Sequence, residues 1–106
     1  MIEEVSVKEL KAMVDGGEDF QLIDVRETDE YVFANLSGEL MPMSTVPDRV
    51  NEISRDKKVV VMCRSGKRSA NIVAFLKKLH NYENVYNLKG GILAYSDQID
   101  PTIPKY

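Results

Sequence analysis

Apolar residues occur in short runs along the chain, and helical patterns separate these runs. The runs over residues 20–25 and 58–62 are rich in Val, Ile and Leu, and a further run covers residues 84–88. Apolar runs of this length, bounded by glycine or polar residues, are typical of strands that are buried on both faces of a parallel sheet. The alternation of such strands with helices predicts an α/β fold with a central, mainly parallel sheet flanked by helices.

Capping residues and proline indicate where the predicted elements begin and end. Ser6 and Glu9 have the spacing of a capping box, which predicts a helix from Ser6 through Val14. Residues 35–43 and the tail after residue 98 are predicted to be irregular. The remaining predicted elements are a short strand at residues 4–5, an acidic helix over residues 28–33, a helix from Pro47 through Ile53, a helix over residues 70–79 with Ser69 as its N-cap, and a last helix over residues 92–98.

Length and composition indicate an ordinary globular domain. The chain has 106 residues, of which 43% are hydrophobic and 29% charged, and we expect one domain over residues 1–106. No apolar run approaches the roughly 18 residues that a membrane span requires. The acidic N-terminal residues lack the positive charge that begins a signal peptide, and a single cysteine excludes an internal disulfide. We therefore predict a cytoplasmic protein that binds no membrane.

The net charge of −3 hides an uneven distribution. Residues 1–39 carry eleven acidic and three basic side chains, whereas residues 40–106 carry six acidic and eleven basic ones. Part of the basic surplus lies around Cys63, which points to a small anionic ligand. Aromatic residues are not interleaved with these charges, and this argues against a nucleic-acid partner.

Cys63 is the only cysteine, and it lies between the strand of residues 58–62 and a predicted helix. Ligands of parallel α/β sheets bind at the carboxyl ends of the strands, where Cys63 falls. The N–H groups of a tight loop, which Gly66 makes possible, and the charges of the nearby basic side chains would favour a thiolate. A lone cysteine is often an inert packing residue, but this context favours a nucleophile or a sulfur carrier.

Five segments, in order and over nearly the whole chain, resemble the rhodanese-like (sulfurtransferase) domain family. This resemblance implies a three-layer α/β domain. The segments are Leu22-Ile23-Asp24-Val25-Arg26-Glu27, then Glu30-Tyr31, then Gly38 and Pro42, then Val60-Val61-Met62-Cys63-Arg64-Ser65-Gly66-Lys67-Arg68-Ser69, and finally Leu88-Lys89-Gly90-Gly91-Ile92.

The resemblance also implies a mechanism. A cysteine matching Cys63 takes a sulfane sulfur from a small anionic donor such as thiosulfate and passes it, as a persulfide, to cyanide, a thiol or a protein acceptor. The loop of Arg64, Ser65, Gly66, Lys67, Arg68 and Ser69 would wrap the persulfide, and its three basic side chains would attract the donor. No cofactor is implied, and one cysteine with one histidine offers no metal-ligand pattern.

Other interpretations stay open. Cysteine-dependent phosphatases and arsenate reductases resemble this arrangement, but they carry an arginine at the sixth position after the cysteine, where this chain has Ser69. A persulfide carrier or a binding module for a protein partner is a further alternative. Asp24 could orient the site or hold neighbouring loops together. Arg26 could contact substrate or pair with a carboxylate such as Glu30.

Overall fold

The computed structural model describes residues 2–106 and contains one five-stranded sheet. The strands are β1 (Glu4–Val5), β2 (Phe20–Asp24), β3 (Glu39–Leu40), β4 (Lys58–Met62) and β5 (Val85–Leu88). They pair in the order β1-β5-β4-β2-β3, and every pair is parallel. The predicted α/β fold with a mainly parallel sheet is confirmed, and β4 lies at the centre of the sheet.

Four α-helices connect the strands: α1 (Val7–Asp15), α2 (Thr28–Phe33), α3 (Lys67–His80) and α4 (Gly91–Gln98). The capping box predicted for α1 is present. The Ser6 hydroxyl accepts the N–H of Glu9 at 3.0 Å, and the Glu9 carboxylate accepts the N–H of Ser6 at 2.9 Å. Two of the first free N–H groups of the helix region are thereby satisfied, which fixes where α1 begins.

The predicted start of α3 is wrong. The N-cap is Gly66, not Ser69, and the helix begins at Lys67 instead of residue 70. Gly66 has a φ of +98°, a left-handed conformation that glycine adopts without a steric cost. This turn closes the loop early, so that Ser69 lies inside the first helical turn and its hydroxyl is directed to other partners.

The region between β2 and β4 also differs from the prediction. The helix predicted from Pro47 through Ile53 is replaced by two 3₁₀ turns, Met43–Asp48 and Val50–Glu52. Arg49, with a φ of −121° and a ψ of 16°, interrupts the chain between the two turns, so no continuous α-helix runs from Pro47. β3 lies within a stretch predicted to be irregular, because a two-residue edge strand leaves almost no periodic signal.

The sheet is the middle of three layers, and side chains of β4 alternate between its two faces. Val59 and Val61 point to a core cluster beneath α3 and the 3₁₀ turns, whereas Val60 and Met62 point to a second cluster beneath α1 and α4. All four side chains are fully buried. Within residues 2–106, no helix has the length and apolarity needed to cross a membrane.

Candidate active site

Cys63 directly follows the central strand β4, at the carboxyl edge of the sheet. The side chain is 1% exposed, and the chain turns sharply after it into α3. Gly66 makes this turn possible for a second reason besides its φ. A Cβ at this position would lie 3.3 Å from the N atom of Gly90 and 3.4 Å from the carbonyl oxygen of Leu88. The loop therefore packs closely against the segment after β5.

The sulfur of Cys63 lies within a cradle of hydrogen-bond donors. Sγ accepts the N–H of Gly66 at 3.1 Å and the N–H of Ser69 at 3.4 Å, and the hydroxyl oxygen of Ser69 lies within hydrogen-bond distance of it at 3.3 Å. Burial by itself raises the pKa of the Cys63 thiol, but hydrogen bonds from Ser69, Gly66 and Ser65 outweigh it and leave the pKa lowered. Donors directed at one sulfur favour its anionic form, so the cradle suits a thiolate.

The cations next to Cys63 contribute less to this pKa than the sequence suggested. The Arg68 guanidinium holds the Glu30 carboxylate in a bidentate pair at 2.8 and 2.9 Å, which lowers the pKa of Glu30 to about 2. Arg64 donates to the carbonyl oxygen of Tyr106, and its guanidinium lies 5.1 Å from the centre of the Tyr106 ring. Hydrogen bonds of the loop are thus the main cause of the lowered thiol pKa.

Two lysines beside the loop remain exposed. Lys67 and Lys89 line an open cavity of about 490 Å³ together with Ser65 and Gly66. Within residues 2–106, neither lysine takes part in an ion pair. A slightly larger cavity of about 540 Å³ lies at the opposite edge of the sheet, where the strands begin, and it contains no thiol. Two lysine charges that no ion pair in the described part of the chain compensates thus lie beside the cysteine loop.

The first turn of α4 fixes the backbone of the cysteine loop. The N–H of Ile92 donates to the carbonyl oxygen of Cys63 at 3.0 Å, and the N–H of Leu93 donates to that of Arg64 at 3.2 Å. Gly91 has a φ of +62°, and a Cβ there would lie only 2.5 Å from the Cys63 carbonyl oxygen. The absence of a side chain at Gly91 thus allows α4 to approach Cys63.

Sequence reasoning missed Asn87, which connects the loop to the sheet. Its side chain is 2% exposed; Oδ1 accepts the Ser69 hydroxyl at 2.5 Å, and Nδ2 donates to the Gly66 carbonyl oxygen at 3.3 Å. The available signal was an amide in the middle of an otherwise apolar strand, since a buried polar group requires partners.

Asp24 and Arg26 lie at the same edge of the sheet but face α2. Their side chains are fully buried and form an ion pair at 2.8 Å, and Arg26 also donates to the carbonyl oxygen of Ala34 at 2.7 Å and to the hydroxyl of Tyr106 at 2.9 Å. Within residues 2–106, neither side chain hydrogen-bonds to the cysteine loop. Arg26 pairs with Asp24, and its only hydrogen bond to Glu30 is to the backbone oxygen. The pair thus connects β2 to α2 and the tail.

Clusters that could hold a metal ion do not occur in the described part of the chain. Among residues 2–106, no group of three or more His, Cys, Asp and Glu side chains comes together. The chemistry that the geometry offers at this edge is that of a buried sulfur nucleophile within a ring of donors.

A buried thiolate cradle after the central strand of a parallel α/β sheet defines a class of cysteine-dependent transfer domains. Comparison with known proteins identifies the family within that class. The rhodanese-like domain family matches residues 6–98, so the chain belongs to this family. The resemblance of the five sequence segments is thereby confirmed.

Individual relatives agree with this assignment. A sulfurtransferase from Allochromatium vinosum is 36% identical over 97 residues, which cover 91% of this chain and 90% of the relative. The rhodanese-like/PpiC domain-containing protein 12, chloroplastic, of Arabidopsis thaliana is 34% identical over 113 residues, covering 99% of this chain but 38% of that longer protein. The crystal structure of a rhodanese-like domain protein from Staphylococcus aureus superposes with a TM-score of 0.82 at 26% identity and covers 99% of each chain.

Proposed function

We propose that this protein is a sulfurtransferase that takes a sulfane sulfur from thiosulfate or a similar anionic donor through a persulfide on Cys63. The observation that carries the proposal is the ring of donors around a buried sulfur whose pKa is lowered. A thiolate is the nucleophile in such chemistry, and a persulfide is again an anion that the same kind of N–H groups stabilises.

The first step joins the two sulfurs. The Cys63 thiolate attacks the outer sulfur of thiosulfate and forms a new S–S bond. The S–S bond of thiosulfate breaks, and sulfite leaves with the bonding electron pair. No proton moves, because the thiolate and the resulting persulfide are both anions. The loop N–H groups of Gly66 and Ser69 face the sulfur and would compensate the negative charge throughout this step.

The second step regenerates the Cys63 thiolate. A nucleophilic acceptor such as cyanide attacks the outer persulfide sulfur, the S–S bond breaks, and the Cys63 thiolate leaves with the electron pair. With cyanide the product is thiocyanate; with a thiol the product is a new persulfide on the acceptor. Neither step requires a cofactor, because the electrons stay within the sulfur atoms and the acceptor.

We assign the attraction of the anionic sulfur donor to two exposed lysines beside the loop. Lys67 and Lys89 line the cavity next to the loop and have no ion-pair partner among residues 2–106, whereas Arg68 is held by Glu30. Steering by such exposed charges raises the encounter rate with an anion and weakens with salt. We therefore expect the lysines, more than Arg68, to affect the use of an anionic donor.

The arrangement also bears on the phosphatase and arsenate reductase alternative. An oxyanion requires a guanidinium free to bind two of its oxygens. Arg68 follows Cys63 at the fifth position, and both of its NH groups already bind Glu30. The sixth position is Ser69, whose hydroxyl faces the sulfur. These contacts favour a sulfur atom over a phosphate as the group held by the loop.

Intact-mass spectrometry after incubation with thiosulfate tests the proposal. We expect an adduct of one sulfur atom that disappears on addition of cyanide and does not form in Cys63→Ser. The double variant Lys67→Gln/Lys89→Gln should form the adduct several-fold more slowly at low salt, with the difference shrinking at high salt. Lys78→Gln on the far end of α3 serves as the matched control and should react at the normal rate.

The same experiment distinguishes the alternatives. If no adduct forms and an aryl phosphate is hydrolysed, the sulfurtransferase proposal is wrong. If the adduct forms but only an acceptor protein, and neither cyanide nor a small thiol, discharges it, the protein is a persulfide carrier for that partner. The cytoplasmic location stays a prediction.

A further inference from the structure

Ser69 connects Cys63 to a second acceptor that the sulfur-transfer steps do not use. The Ser69 hydroxyl oxygen lies 3.3 Å from the Cys63 sulfur and 2.5 Å from Oδ1 of Asn87. All three side chains are buried, with exposed fractions of 0 to 2%. A serine hydroxyl has a single hydrogen, so it can donate to one of these two partners at a time.

The surroundings of Asn87 determine which of its atoms faces Ser69. The other end of the amide lies 3.0 Å from the Glu4 carboxylate and 3.3 Å from the Gly66 carbonyl oxygen. A carboxylate and a carbonyl can only accept hydrogen bonds, so the NH₂ group must point to them. The amide oxygen therefore faces Ser69 and requires the hydroxyl hydrogen.

Two hydrogen-bond states follow for the sulfur. With a neutral thiol, Ser69 donates to Asn87, and its oxygen can accept the S–H of Cys63. With an anionic sulfur, the hydroxyl hydrogen turns to Cys63, and the Asn87 oxygen, buried in the sheet, loses its donor. A buried acceptor without a donor is destabilised, so the anionic state carries a cost that originates at Asn87.

We infer that Asn87 competes with Cys63 for the single hydroxyl hydrogen of Ser69 and is thereby a positioning residue that holds back the anionic form of the sulfur. The inference rests on the proposed function only in taking Cys63 as the nucleophile. Glu4 supports this competition, because its carboxylate on β1 helps to keep the Asn87 amide in the orientation that draws the Ser69 hydrogen away from Cys63.

The direction in which the pKa of Cys63 changes when Asn87 is removed distinguishes competition for the hydrogen from a structural role. If Asn87 only supported the loop, its loss would loosen the N–H cradle and raise the pKa of Cys63 towards the ordinary thiol value. If Asn87 competes for the hydrogen, its loss frees Ser69 to donate to the sulfur and lowers the pKa. Charged groups around the loop stay unchanged in an uncharged substitution of Asn87; they are Arg64, Lys67, Arg68, Glu30, Glu4 and Lys89.

Alkylation of Cys63 by iodoacetamide across a pH series measures this pKa without any sulfur donor. We expect Asn87→Leu to shift the midpoint of the rate profile down by about one pH unit, the size of one hydrogen bond to a charged group. Ser69→Ala should shift it up, and Asn87→Leu should add no downward shift in the Ser69→Ala background.

Asn87→Ala provides a second variant that adds no bulk to the core. It removes the competing amide oxygen as Asn87→Leu does, so the midpoint should again fall. Asn84→Ala is the matched control, because it removes an equal amide whose hydrogen bonds go to the carbonyl oxygens of Ser54 and Lys57, ahead of the start of β5. It should leave the midpoint unchanged.

A midpoint that stays or rises in a folded Asn87→Leu protein overturns the inference. If Asn87→Leu does not fold, the comparison of Asn87→Ala with Asn84→Ala decides, and equal midpoints overturn it. Failure of the proposed function is separate, since a protein that forms no adduct with thiosulfate would still give these alkylation profiles.

Discussion

At the scale of single residues, the position of the Cys63 sulfur depends on two sets of N–H groups with different roles. Those of Gly66 and Ser69 point to the sulfur, while those of Ile92 and Leu93 bind the carbonyl oxygens of Cys63 and Arg64. The first set stabilises charge on the sulfur, and the second prevents the loop from turning away from it. Gly91 permits the second set to approach, because any side chain there would overlap the loop backbone.

Gly91→Ala is therefore expected to damage both stability and the thiolate. The new Cβ would overlap the carbonyl oxygens of Cys63 and Arg64 in addition to straining a φ of +62°. We expect a loss of about 2–4 kcal/mol in the free energy of unfolding. Urea unfolding measures this loss, and the displaced loop should also raise the pKa found by Cys63 alkylation.

Gly17→Ala is the matched control for the backbone strain. Gly17 has a φ of +64°, but a Cβ there meets no atom within 4 Å. Its substitution should cost only about 1 kcal/mol, the usual penalty of the left-handed conformation. Equal losses in the two variants would contradict the close-approach argument and leave backbone strain as the whole effect.

The residues of the site could be predicted from the sequence to different extents. Cys63 and the loop after it could be predicted as a candidate site because the strand, the lone thiol and the following helix are all local signals. The N-cap predicted at Ser69 is wrong, because Gly66 caps α3, whereas the loop around the sulfur that the family resemblance implies does include Ser69. Asn87 was missed because its partner is 18 positions away along the chain, and only the sheet brings them together.

At the scale of elements, the contact between α2 and α3 depends on one ion pair. Glu30 on α2 binds Arg68 on α3, and it also accepts the N–H of Glu27 at 3.0 Å and the hydroxyl of Tyr106 at 2.7 Å. α2 has no fully buried residue, so polar contacts take much of the role that packing has elsewhere. The pair therefore positions the short acidic helix against the cysteine loop.

Glu30→Gln should reveal this contribution as a pH-dependent difference in stability. The pKa of Glu30 is lowered to about 2, so its contribution is complete above the ordinary value of 4.5 and is lost as the pH falls towards 2. Above pH 5 we expect the variant to be less stable by about 1–3 kcal/mol. Urea unfolding at a series of pH values should show the two proteins converging below pH 4.5.

Glu52→Gln is the control for a general effect of charge. Glu52 pairs with Arg49 on the surface, where the side chain is about half exposed, and such pairs contribute little. This variant should follow the wild type across the pH series. A constant difference between Glu30→Gln and wild type down to pH 2 would contradict the assignment, because it would not depend on ionisation of Glu30.

Elements with a strong hydrophobic pattern lie where the sequence predicts them, whereas several short elements do not. The apolar runs of β2, β4 and β5 and the capping box of α1 carried enough information to place them. β3 and the 3₁₀ turns between Met43 and Glu52 are too short for a repeating hydrophobic pattern to identify them. Their positions are determined by tertiary contacts, such as the hydrogen bond from Met43 N–H to the carbonyl oxygen of Val25 at 3.0 Å.

At the scale of the whole molecule, one sheet serves two cores. β4 contributes Val59 and Val61 to the cluster that includes Cys63, and Val60 and Met62 to the cluster beneath α1 and α4. Neither cluster can persist without the strand they share. We therefore propose that residues 2–106 fold as a single cooperative unit, which the length and composition of the chain also predicted.

Val60→Ala tests this coupling from the face opposite Cys63. Val60 is fully buried in the α1 and α4 cluster, and its truncation should reduce the free energy of unfolding by about 2 kcal/mol. Urea unfolding is followed by circular dichroism for the helices and by pulsed thiol labelling for exposure of Cys63. Because both cores depend on β4, the two midpoints should coincide in wild type and move together in the variant.

Val32→Ala, at a side chain that is 78% exposed, is the control and should change neither midpoint. A labelling midpoint that stays in place while the dichroism midpoint falls would show that the face holding Cys63 is stable on its own.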